Sequence, residues 1–253
     1  MKISRLPGSL KDLYAKIIVE SAIGMHIGEI KDFSFVQIGA FDGIRNDIIR
    51  KFILKYNWHG VLVEPVKHLF DKLVNNYKGK DNLNFENSAI SDKNEVKEFY
   101  RIRQNAPNLV PYYEELGSFS REIVLKNKNA IPDIEDYLIV EKVNCITLMD
   151  LLKKYNVKRI DLLQIDTEGY DFKIISSIDF GIISPRIIIY EHKHLDRYCD
   201  SQCADLLKKF GYTLDRLGVD TLAYKYPGNN ILKSYWMKVL HRVNSFMNFL
   251  RCP

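Results

Sequence analysis

The chain has few cysteines for its 253 residues, and their spacing matches no metal or redox motif. Four are present, at Cys145, Cys199, Cys203 and Cys252, and no two of them form a C-x-x-C pair. Disulfide frameworks are typical of small secreted domains that are much richer in cysteine. We therefore expect free thiols, a reducing compartment and no structural zinc site.

Long apolar segments are lacking as well. The N-terminal sequence MKISRLPGSLKDLYAKII has no apolar core of signal-peptide length, and no window approaches the ~18 apolar residues that span a bilayer. The net charge is only +5, with the 37 basic residues scattered among 32 acidic ones, so no basic stripe marks a nucleic-acid binder. These features predict a soluble, cytoplasmic protein with a mild preference for anionic partners.

The two common glycine motifs for phosphate binding are missing. Neither G-x-G-x-x-G nor G-x-x-x-x-G-K-[ST] occurs, so a pyrophosphate or triphosphate ligand is not expected. A shorter glycine turn is present in Phe33–Gly43, FSFVQIGAFDG, where an apolar run precedes Gly39 and Gly43 and a helical pattern starts at Ile44. This stretch predicts a strand, a tight turn and a helix.

A second strand, GVLVEP at Gly60–Pro65, ends in Glu64, about 20 residues past the glycine turn. A carboxylate at this position can accept both hydroxyls of a ribose. A Gly-x-x-x-Gly turn alone also occurs at ordinary strand-to-helix connections, so the spacing to Glu64 carries the argument. A ligand with an adenosine but no phosphates fits best, which favours S-adenosylmethionine. Its positively charged sulfonium favours an acidic residue at the edge of the site, such as Asp42.

Strands alternate with helices along the rest of the chain. This pattern predicts an α/β fold with a mostly parallel seven-stranded sheet, helices on both faces and a C-terminal antiparallel hairpin, which is the arrangement of a Rossmann-like class I methyltransferase. Asn84–Ile90 and Val96–Ile102 are predicted to be a central third strand and its hairpin partner. The C-terminal hairpin is predicted at Gly211–Arg216 and Thr221–Lys225.

The predicted domain covers residues 33–226 and follows a helical flank at 1–32. An irregular insertion at about 103–136 is a candidate lid or acceptor-binding segment; the alternative is a surface excursion that packs its own tyrosines. Residues 227–253 hold a basic amphipathic helix. Its apolar stripe packs on the protein or on a second subunit in a homodimer, or else contacts an anionic membrane peripherally.

Polar residues follow the predicted strands at the edge where ligands of open α/β sheets bind. Asp166 ends the strand next to the cofactor strand, so we predict it to be the base that takes a proton from the acceptor, and His192 is the alternative base. A histidine in that place is also often structural. Asp166, Glu191 and His192 together offer a site for a divalent cation, which is less favoured than the simple base. Glu168 and Asp171 also suit capping of the next helix.

Five segments in order, over residues 33–195, resemble the FkbM-type S-adenosylmethionine-dependent methyltransferases: VQIGAFDG, GVLVEP, NSAISD, VNCITLMDLLKKYNVKRIDLLQIDTEGYDFKII and RIIIYEH. The resemblance implies a class I methyltransferase, commonly one that methylates oxygen in sugars, polyketides or other secondary metabolites. It implies that Glu64 binds ribose and that Asp166 and Glu168 form the D-x-E-G motif of the family. Gln37 and Asp171 depart from the family pattern. The cofactor loop and the adenine side are assigned to Gly39, Asp42, Gly43, Ser88 and Ala89.

The leading hypothesis is O-methylation of a sugar, sugar nucleotide or related polar metabolite in surface-polysaccharide (capsule) or secondary-metabolite biosynthesis. Methylation of a nitrogen or of a phosphate-derived acceptor is one alternative. An NAD-dependent sugar oxidoreductase or epimerase is another, but neither Tyr137 nor Tyr155 begins the Tyr-x-x-x-Lys pair that it usually needs. No metal ligand is assigned. The predicted substrate-binding residues are Tyr112, Tyr113, Glu168 and Glu191.

Overall fold

A computed structural model of the chain describes residues 20, 23–24, 32–104, 106 and 111–225, and not the side chains of Pro111 and Tyr112. The predicted C-terminal helix at 227–253 and nearly all of the flank at 1–32 lie outside the described residues. Of the flank, Ile23 is helical and fully buried. No helix within the described ranges is both long enough and apolar enough to cross a bilayer.

The described elements alternate between strand and helix, as the sequence predicts. In chain order they are β1 (Ser34–Ile38), α1 (Arg50–Tyr56), β2 (His59–Val63), α2 (Lys67–Asn76), β3 (Leu83–Glu86), β4 (Ala89–Ser91), β5 (Glu95–Ile102), a 3₁₀ turn (Pro111–Glu115), β6 (Gly117–Ser118), α3 (Arg121–Leu125), a second 3₁₀ turn (Lys126–Asn129), α4 (Ile134–Tyr137), β7 (Leu138–Thr147), α5 (Leu148–Lys154), β8 (Leu162–Ile165), α6 (Asp171–Ser176), β9 (Ile187–Glu191), α7 (Arg197–Lys209), β10 (Thr213–Leu217) and β11 (Asp220–Tyr224).

Seven strands form the main sheet in the order β10-β11-β9-β8-β1-β2-β3. All neighbours are parallel except those of β11, which runs antiparallel to both β10 and β9. The predicted fold class is confirmed, including the C-terminal hairpin. The antiparallel strand is not at the sheet's edge, because the turn at Gly218 brings β11 back between β10 and β9.

Side chains that alternate along the strands fill two cores, one on each face of the sheet. Phe35 of β1 faces a cluster that includes Phe52 of α1 and Leu73 of α2. Val36, next in the strand, faces the opposite cluster, which includes Leu151 of α5 together with residues of α6 and α7. Helices therefore cover both faces, and the strand ends remain as the edge where a ligand can enter.

A second, four-stranded sheet in the order β4-β7-β5-β6 corrects one sequence prediction. β5 does not form a hairpin with β3. It pairs antiparallel with β7 along its full length, from Glu95 opposite Cys145 to Ile102 opposite Leu138. β3 in turn is the edge strand of the main sheet rather than a central one. β5 is a strand, as its pattern predicts, but its partner lies about 40 residues away, and pairing at that distance leaves no local signal.

The connection after β1 is longer than the predicted tight turn. α1 begins at Arg50, because Asp42 and Asp47 each bend the chain first. Asp42 Oδ1 accepts the backbone N–H groups of Ile44 and Arg45, each at 2.9 Å, and Asp47 Oδ1 accepts those of Ile49 and Arg50, also at 2.9 Å. Two such turns in succession keep the segment from Asp42 to Ile49 out of a helix.

Candidate functional site

A cleft of about 940 Å³ of empty space, counting the part open to solvent, lies at the carboxyl ends of β1, β2 and β8. Arg45 is the one cationic side chain among its described lining residues, and it is paired with Asp42 at 2.8 Å and Glu114 at 3.4 Å. The cleft is therefore acidic although the whole chain carries a net positive charge. Its carboxylate residues are Asp47, Glu64, Glu114, Glu115, Asp166 and Glu168.

Position 39, where the ends of β1 and β8 meet, requires a glycine. Its φ of +79° lies in the left-handed region, and a Cβ atom there would be 1.9 Å from the backbone oxygen of Asp166. The Gly39 and Ala40 N–H groups both donate to the Val63 carbonyl at 3.0 Å. The absence of a side chain thus leaves bare backbone on the floor of the cleft, as the sequence predicts for a cofactor loop.

Glu64 lies at the end of β2 and is 5 % exposed. Its Oε2 accepts the Phe41 N–H at 3.0 Å and its Oε1 accepts the Val66 N–H at 2.9 Å. Burial raises the pKa of Glu64 to about 8, although these two hydrogen bonds oppose the shift. Each oxygen keeps a second lone pair, so the carboxylate is fixed in place with acceptor capacity for two hydroxyls.

Two of the predicted cofactor-binding residues, Asp42 and Gly43, do not line the cleft and instead stabilise the loop after β1. Asp42 accepts two backbone N–H groups and the guanidinium of Arg45, and these hydrogen bonds hold its pKa below the ordinary value against the effect of burial. Gly43 has a φ of +71°, and a Cβ there would be 2.6 Å from Leu73 and 2.7 Å from Tyr77. Gly43 is therefore a close-packing position against α2.

The other two, Ser88 and Ala89, do line the cleft, at its apolar end. Both are buried, and the Ser88 hydroxyl donates to Glu86 Oε1 at 3.1 Å. The apolar end also has aromatic walls from the loop after β1 and from the second sheet. They are Phe41, Phe99 and Phe119, the last two in edge-to-face contact at 5.5 Å between ring centroids.

Asp166 lies at the opposite, acidic end of the cleft. The residue is exposed to the solvent of the cleft, and the protein surrounds the cleft on its other sides. Loss of hydration within the surrounding protein raises the pKa of Asp166 well above its usual value. The negative charges of Glu168, Asp171, Asp220 and Glu115 raise it further. Water in the cleft moderates this rise, because it stabilises the charged form. A carboxylate whose pKa is raised is a stronger base than an ordinary one.

The insertion forms one wall of the cleft. Glu114, Glu115, Gly117 and Phe119 line it. Glu115 Oε2 accepts a hydrogen bond from Asn46 at 2.9 Å, whereas its buried Oε1 has no hydrogen-bond partner, and burial raises the pKa of Glu115. The structure thus places polar groups of the insertion at the cleft, where the sequence predicts an acceptor-binding segment.

The insertion also holds the loop that follows β8. The Ser118 hydroxyl donates to the Glu168 carbonyl at 2.8 Å. Glu168 and Gly169 both have positive φ, at +50° and +101°. A non-glycine residue in that region costs about 1–2 kcal/mol, so the contact from Ser118 helps to keep Glu168 in a conformation it would otherwise leave.

The structure does not bring Tyr113 to the cleft. Its ring is buried in a cluster with Ile102 and Ile134, and its hydroxyl donates to the Ala130 carbonyl at 3.2 Å. This position corresponds to the alternative weighed for the insertion, in which it packs its own tyrosines. The side chain of Tyr112 lies outside the described part of the chain.

His192 is likewise not a lining residue. It is half-buried, its Nδ1 lies 3.0 Å from the Thr221 hydroxyl of β11, and burial lowers its pKa. His194, two residues further on, is buried behind the cleft and contacts Glu168, which lines its acidic end. Its Nε2 lies 2.9 Å from Glu168 Oε2 and 3.8 Å from Glu191 Oε2.

Glu191 is buried behind Glu168, at the end of β9. Burial, together with the charges of Glu168, Asp166 and Asp171, raises the pKa of Glu191 to about 9. Asp171 is fully buried and accepts hydrogen bonds from the Thr167 hydroxyl at 2.7 Å and the Glu191 N–H at 3.0 Å. Burial raises the pKa of Asp171 to about 7. Asp171 thus ties the ends of β8 and β9 together.

The sequence prediction missed His194 and the acidic residues of the insertion. Glu191 and His194 stand in an E-x-x-H spacing, which is the one local signal that could have drawn attention to His194 rather than His192. Glu114 and Glu115 follow a proline in an irregular segment, so nothing in their pattern indicates that they face the strand tips. Their place depends on the pairing of β5 with β7 and β6.

Comparison with solved structures finds methyltransferases at low similarity. An FkbM methyltransferase from Methylobacillus flagellatus has a TM-score of 0.46 at 11 % identity over 77 % of this chain, which spans 44 % of that protein's length. A precorrin-6y C5,15-methyltransferase from Geobacter metallireducens has a TM-score of 0.38 at 12 % identity over 77 % of this chain and 82 % of that one. The N-terminal domain of human METTL16 in complex with SAH has a TM-score of 0.37 at 12 % identity over 78 % of this chain and 62 % of that one.

No curated protein sequence matches the chain significantly. The family profile of the methyltransferase FkbM domain matches residues 37–216, which is most of the chain and includes the strand tips that form the cleft. The match starts at Gln37 in β1 and ends at Arg216 in β10. The chain therefore belongs to the FkbM methyltransferase domain family.

Proposed function

We propose that the protein transfers a methyl group from S-adenosylmethionine to a hydroxyl of a sugar or a related small polar metabolite, of the kind assembled in surface-polysaccharide or secondary-metabolite biosynthesis. The observation that carries the proposal is the acidic cleft at the strand tips, with Glu64 fixed beside the bare backbone of Gly39. Membership in the FkbM family supports methyl transfer as the reaction. The residues that line the cleft support a cationic ligand with a ribose.

The described residues fit this cofactor. Glu64 has free lone pairs for the two ribose hydroxyls, and the backbone at Gly39 leaves space that a Cβ would fill. Ser88, Ala89 and the neighbouring aromatic rings suit an adenine. The acidic residues around Asp166 favour a cationic sulfonium and disfavour the pyrophosphate of NAD, which argues against the oxidoreductase alternative.

When bound, S-adenosylmethionine would supply an electrophilic methyl carbon together with its leaving group, the neutral thioether of S-adenosylhomocysteine. The residues of this chain have the remaining tasks. Asp166 takes the proton that the acceptor hydroxyl loses as its oxygen forms the new C–O bond. The raised pKa of Asp166 makes it a strong acceptor for that proton. Before that step, Asp166 would be ionised beside the positive sulfonium of the cofactor, because an opposite charge lowers the pKa of a carboxyl group.

The same lining bears on the acceptor. Glu114 and Glu115 would repel the phosphates of a sugar nucleotide, whereas hydroxyl groups can donate to carboxylate oxygens. This favours an uncharged sugar or polyol over a sugar nucleotide. It also disfavours an acceptor derived from phosphate.

Calorimetric titration of the full-length protein with S-adenosylmethionine and S-adenosylhomocysteine tests the proposal. The Glu64→Ala variant should bind both more weakly by roughly 1.5–3 kcal/mol, the scale of hydrogen bonds to a charged group, when measured above pH 8, where Glu64 is ionised. Asp215→Ala is the matched control, because Asp215 is a half-buried carboxylate of the same sheet that contacts the Tyr224 hydroxyl and does not line the cleft. Absence of binding by the wild-type protein would refute the proposal.

A further inference from the structure

Three side chains converge behind the acidic end of the cleft: Glu168, Glu191 and His194. One ligand atom from each lies within 4.8 Å of the others. They come from two neighbouring elements, Glu168 from the loop after β8 and Glu191 and His194 from the end of β9. Asp171 joins these two elements through its hydrogen bonds to Thr167 and to the Glu191 N–H.

Two of the three present buried polar atoms without a hydrogen-bond partner. Glu191 and His194 are 6 % and 8 % exposed. Glu191 Oε2 and His194 Nε2 are both fully buried and make no hydrogen bond, even though Nε2 is only 2.9 Å from Glu168 Oε2. That contact lacks the alignment of a hydrogen bond. Leaving such groups without hydrogen bonds is costly in a protein interior, so their convergence favours a site that binds a ligand.

We propose that Glu168, Glu191 and His194 form a binding site for a divalent cation. Metal–ligand bonds of about 2.0–2.2 Å place the ligand atoms of one ion about 3–4 Å apart. The separations of 2.9 and 3.8 Å from His194 Nε2 already meet this condition. The positive ion would also offset the repulsion between the two carboxylates, which the rest of the described neighbourhood increases through Asp166 and Asp171.

The ligand set determines the class of ion. Two carboxylates and one imidazole suit Mn²⁺ or Zn²⁺ better than Mg²⁺, which prefers oxygen ligands and retains its waters. Three protein ligands leave coordination positions open, as in catalytic rather than structural sites. Glu168 and Asp166 both line the cleft, so an ion held by Glu168 would lie near this end of it.

This location gives the ion a role that rests on the proposed function. A cation that binds the acceptor hydroxyl lowers its pKa, so that Asp166 can take the proton more readily. The contacts also show why His194, and not His192, is the proposed ligand. His194 faces Glu168, whereas His192 is turned to Thr221 and cannot serve the same ion without leaving that partner.

Direct metal binding tests the site without any assay of methyl transfer. Full-length protein, stripped of metal with a chelator, is titrated with Mn²⁺ and followed by electron paramagnetic resonance, and with Zn²⁺ by calorimetry. We expect one ion per chain. Glu191→Gln and His194→Asn should each weaken binding at least about 10–100-fold, the loss that follows even when a residue that only supports a metal ligand is changed.

His192→Asn is the matched control, because it changes the same residue type two positions away. It should leave the affinity for Mn²⁺ unchanged. Thermal melts with and without Mn²⁺ confirm that each variant is folded. At equal Mn²⁺ concentration, the ion should raise the melting temperature of the wild type and of His192→Asn more than that of Glu191→Gln or His194→Asn. No binding of either ion at about 1 mM, or equal binding by His194→Asn and the wild type, would overturn the proposal.

The role in catalysis is checked separately. Removal of the ion should leave the affinity for S-adenosylhomocysteine unchanged while methyl transfer falls. If the cofactor fails to bind, the proposed function is refuted and the metal site still stands on its own titration. If the cofactor binds and the metal does not, only the metal site is refuted.

Discussion

Replacement of Gly39 by alanine tests whether the close approach of β1 and β8 is what makes glycine necessary there. The new Cβ would lie 1.9 Å from the Asp166 carbonyl oxygen, and ordinary contact begins at 3.4 Å. The two strand tips would have to separate by about 1.5 Å, which is incompatible with the 3.0 Å hydrogen bond from the Asp166 N–H to the Ile38 carbonyl.

Two costs add in this variant, and a control separates them. A positive φ costs an alanine about 1–2 kcal/mol at either site. Overpacking and the strained strand pairing add about 2–4 kcal/mol at Gly39 alone. Gly79 has nearly the same φ, +81°, but no atom lies within 4 Å of the position that a Cβ would take there, so Gly79→Ala carries only the first cost.

Calorimetric melting of the two variants measures the difference. A chain of this size loses about 2–4 °C of melting temperature per kcal/mol, so Gly39→Ala should melt roughly 4–16 °C below Gly79→Ala. Gly39→Ala should also lose affinity for S-adenosylhomocysteine, because the displaced backbone forms the floor of the cleft. Equal melting temperatures for the two variants would show that the strand tips are free to move apart, and the reasoning would fail.

Three further predictions concern the acidic end and the pH dependence. Asp166→Asn should keep S-adenosylhomocysteine binding but lose about 10²-fold or more in methyl transfer rate, and full activity would exclude Asp166 as the base. Ser118→Ala should lower the free energy of unfolding by about 1–3 kcal/mol in denaturant titration, because the Glu168 carbonyl loses its donor; no change would show that water replaces it. The ligand-free protein should lose stability as pH rises from about 4.5 to 8: Glu64 and Asp171 have raised pKa values of about 8 and 7, so the folded state holds more protons there than the unfolded state. Melting temperatures over this range should fall, and they should fall less steeply in Glu64→Gln.

The sequence predicts the parts of the molecule that depend on local pattern. β1, β2, β8 and β9 are short apolar runs, and the order of such strands in a parallel sheet follows from right-handed connections. Gly39 and Glu64 are recognisable because their spacing is set by one strand-helix-strand unit. Thr147 caps α5 as its spacing to Asp150 predicts, with its hydroxyl accepting the Asp150 N–H at 3.1 Å.

The parts that depend on long-range pairing were not predictable in the same way. Nothing near β5 indicates that it pairs with β7 across the insertion. This limits what the sequence predicts about the candidate site, because the second sheet determines which residues of the insertion face the cleft. The sequence analysis named His192 and passed over His194 for a related reason. Both follow β9 within three residues, and only the position of Thr221 on β11 gives His192 a different partner.

The ladder between β5 and β7 has a consequence for how the wall of the cleft formed by the insertion can vary. Ile102 is paired with Leu138, and the Arg103 N–H donates to the Tyr137 carbonyl at 2.8 Å, so the insertion leaves and re-enters the domain at one point. A segment closed in this way can be lengthened at little cost, about 0.6 kcal/mol for each doubling of a flexible loop. The wall that carries Glu114 and Glu115 is thus exchangeable as a unit, while Gly39 and Glu64 on the main sheet keep their register.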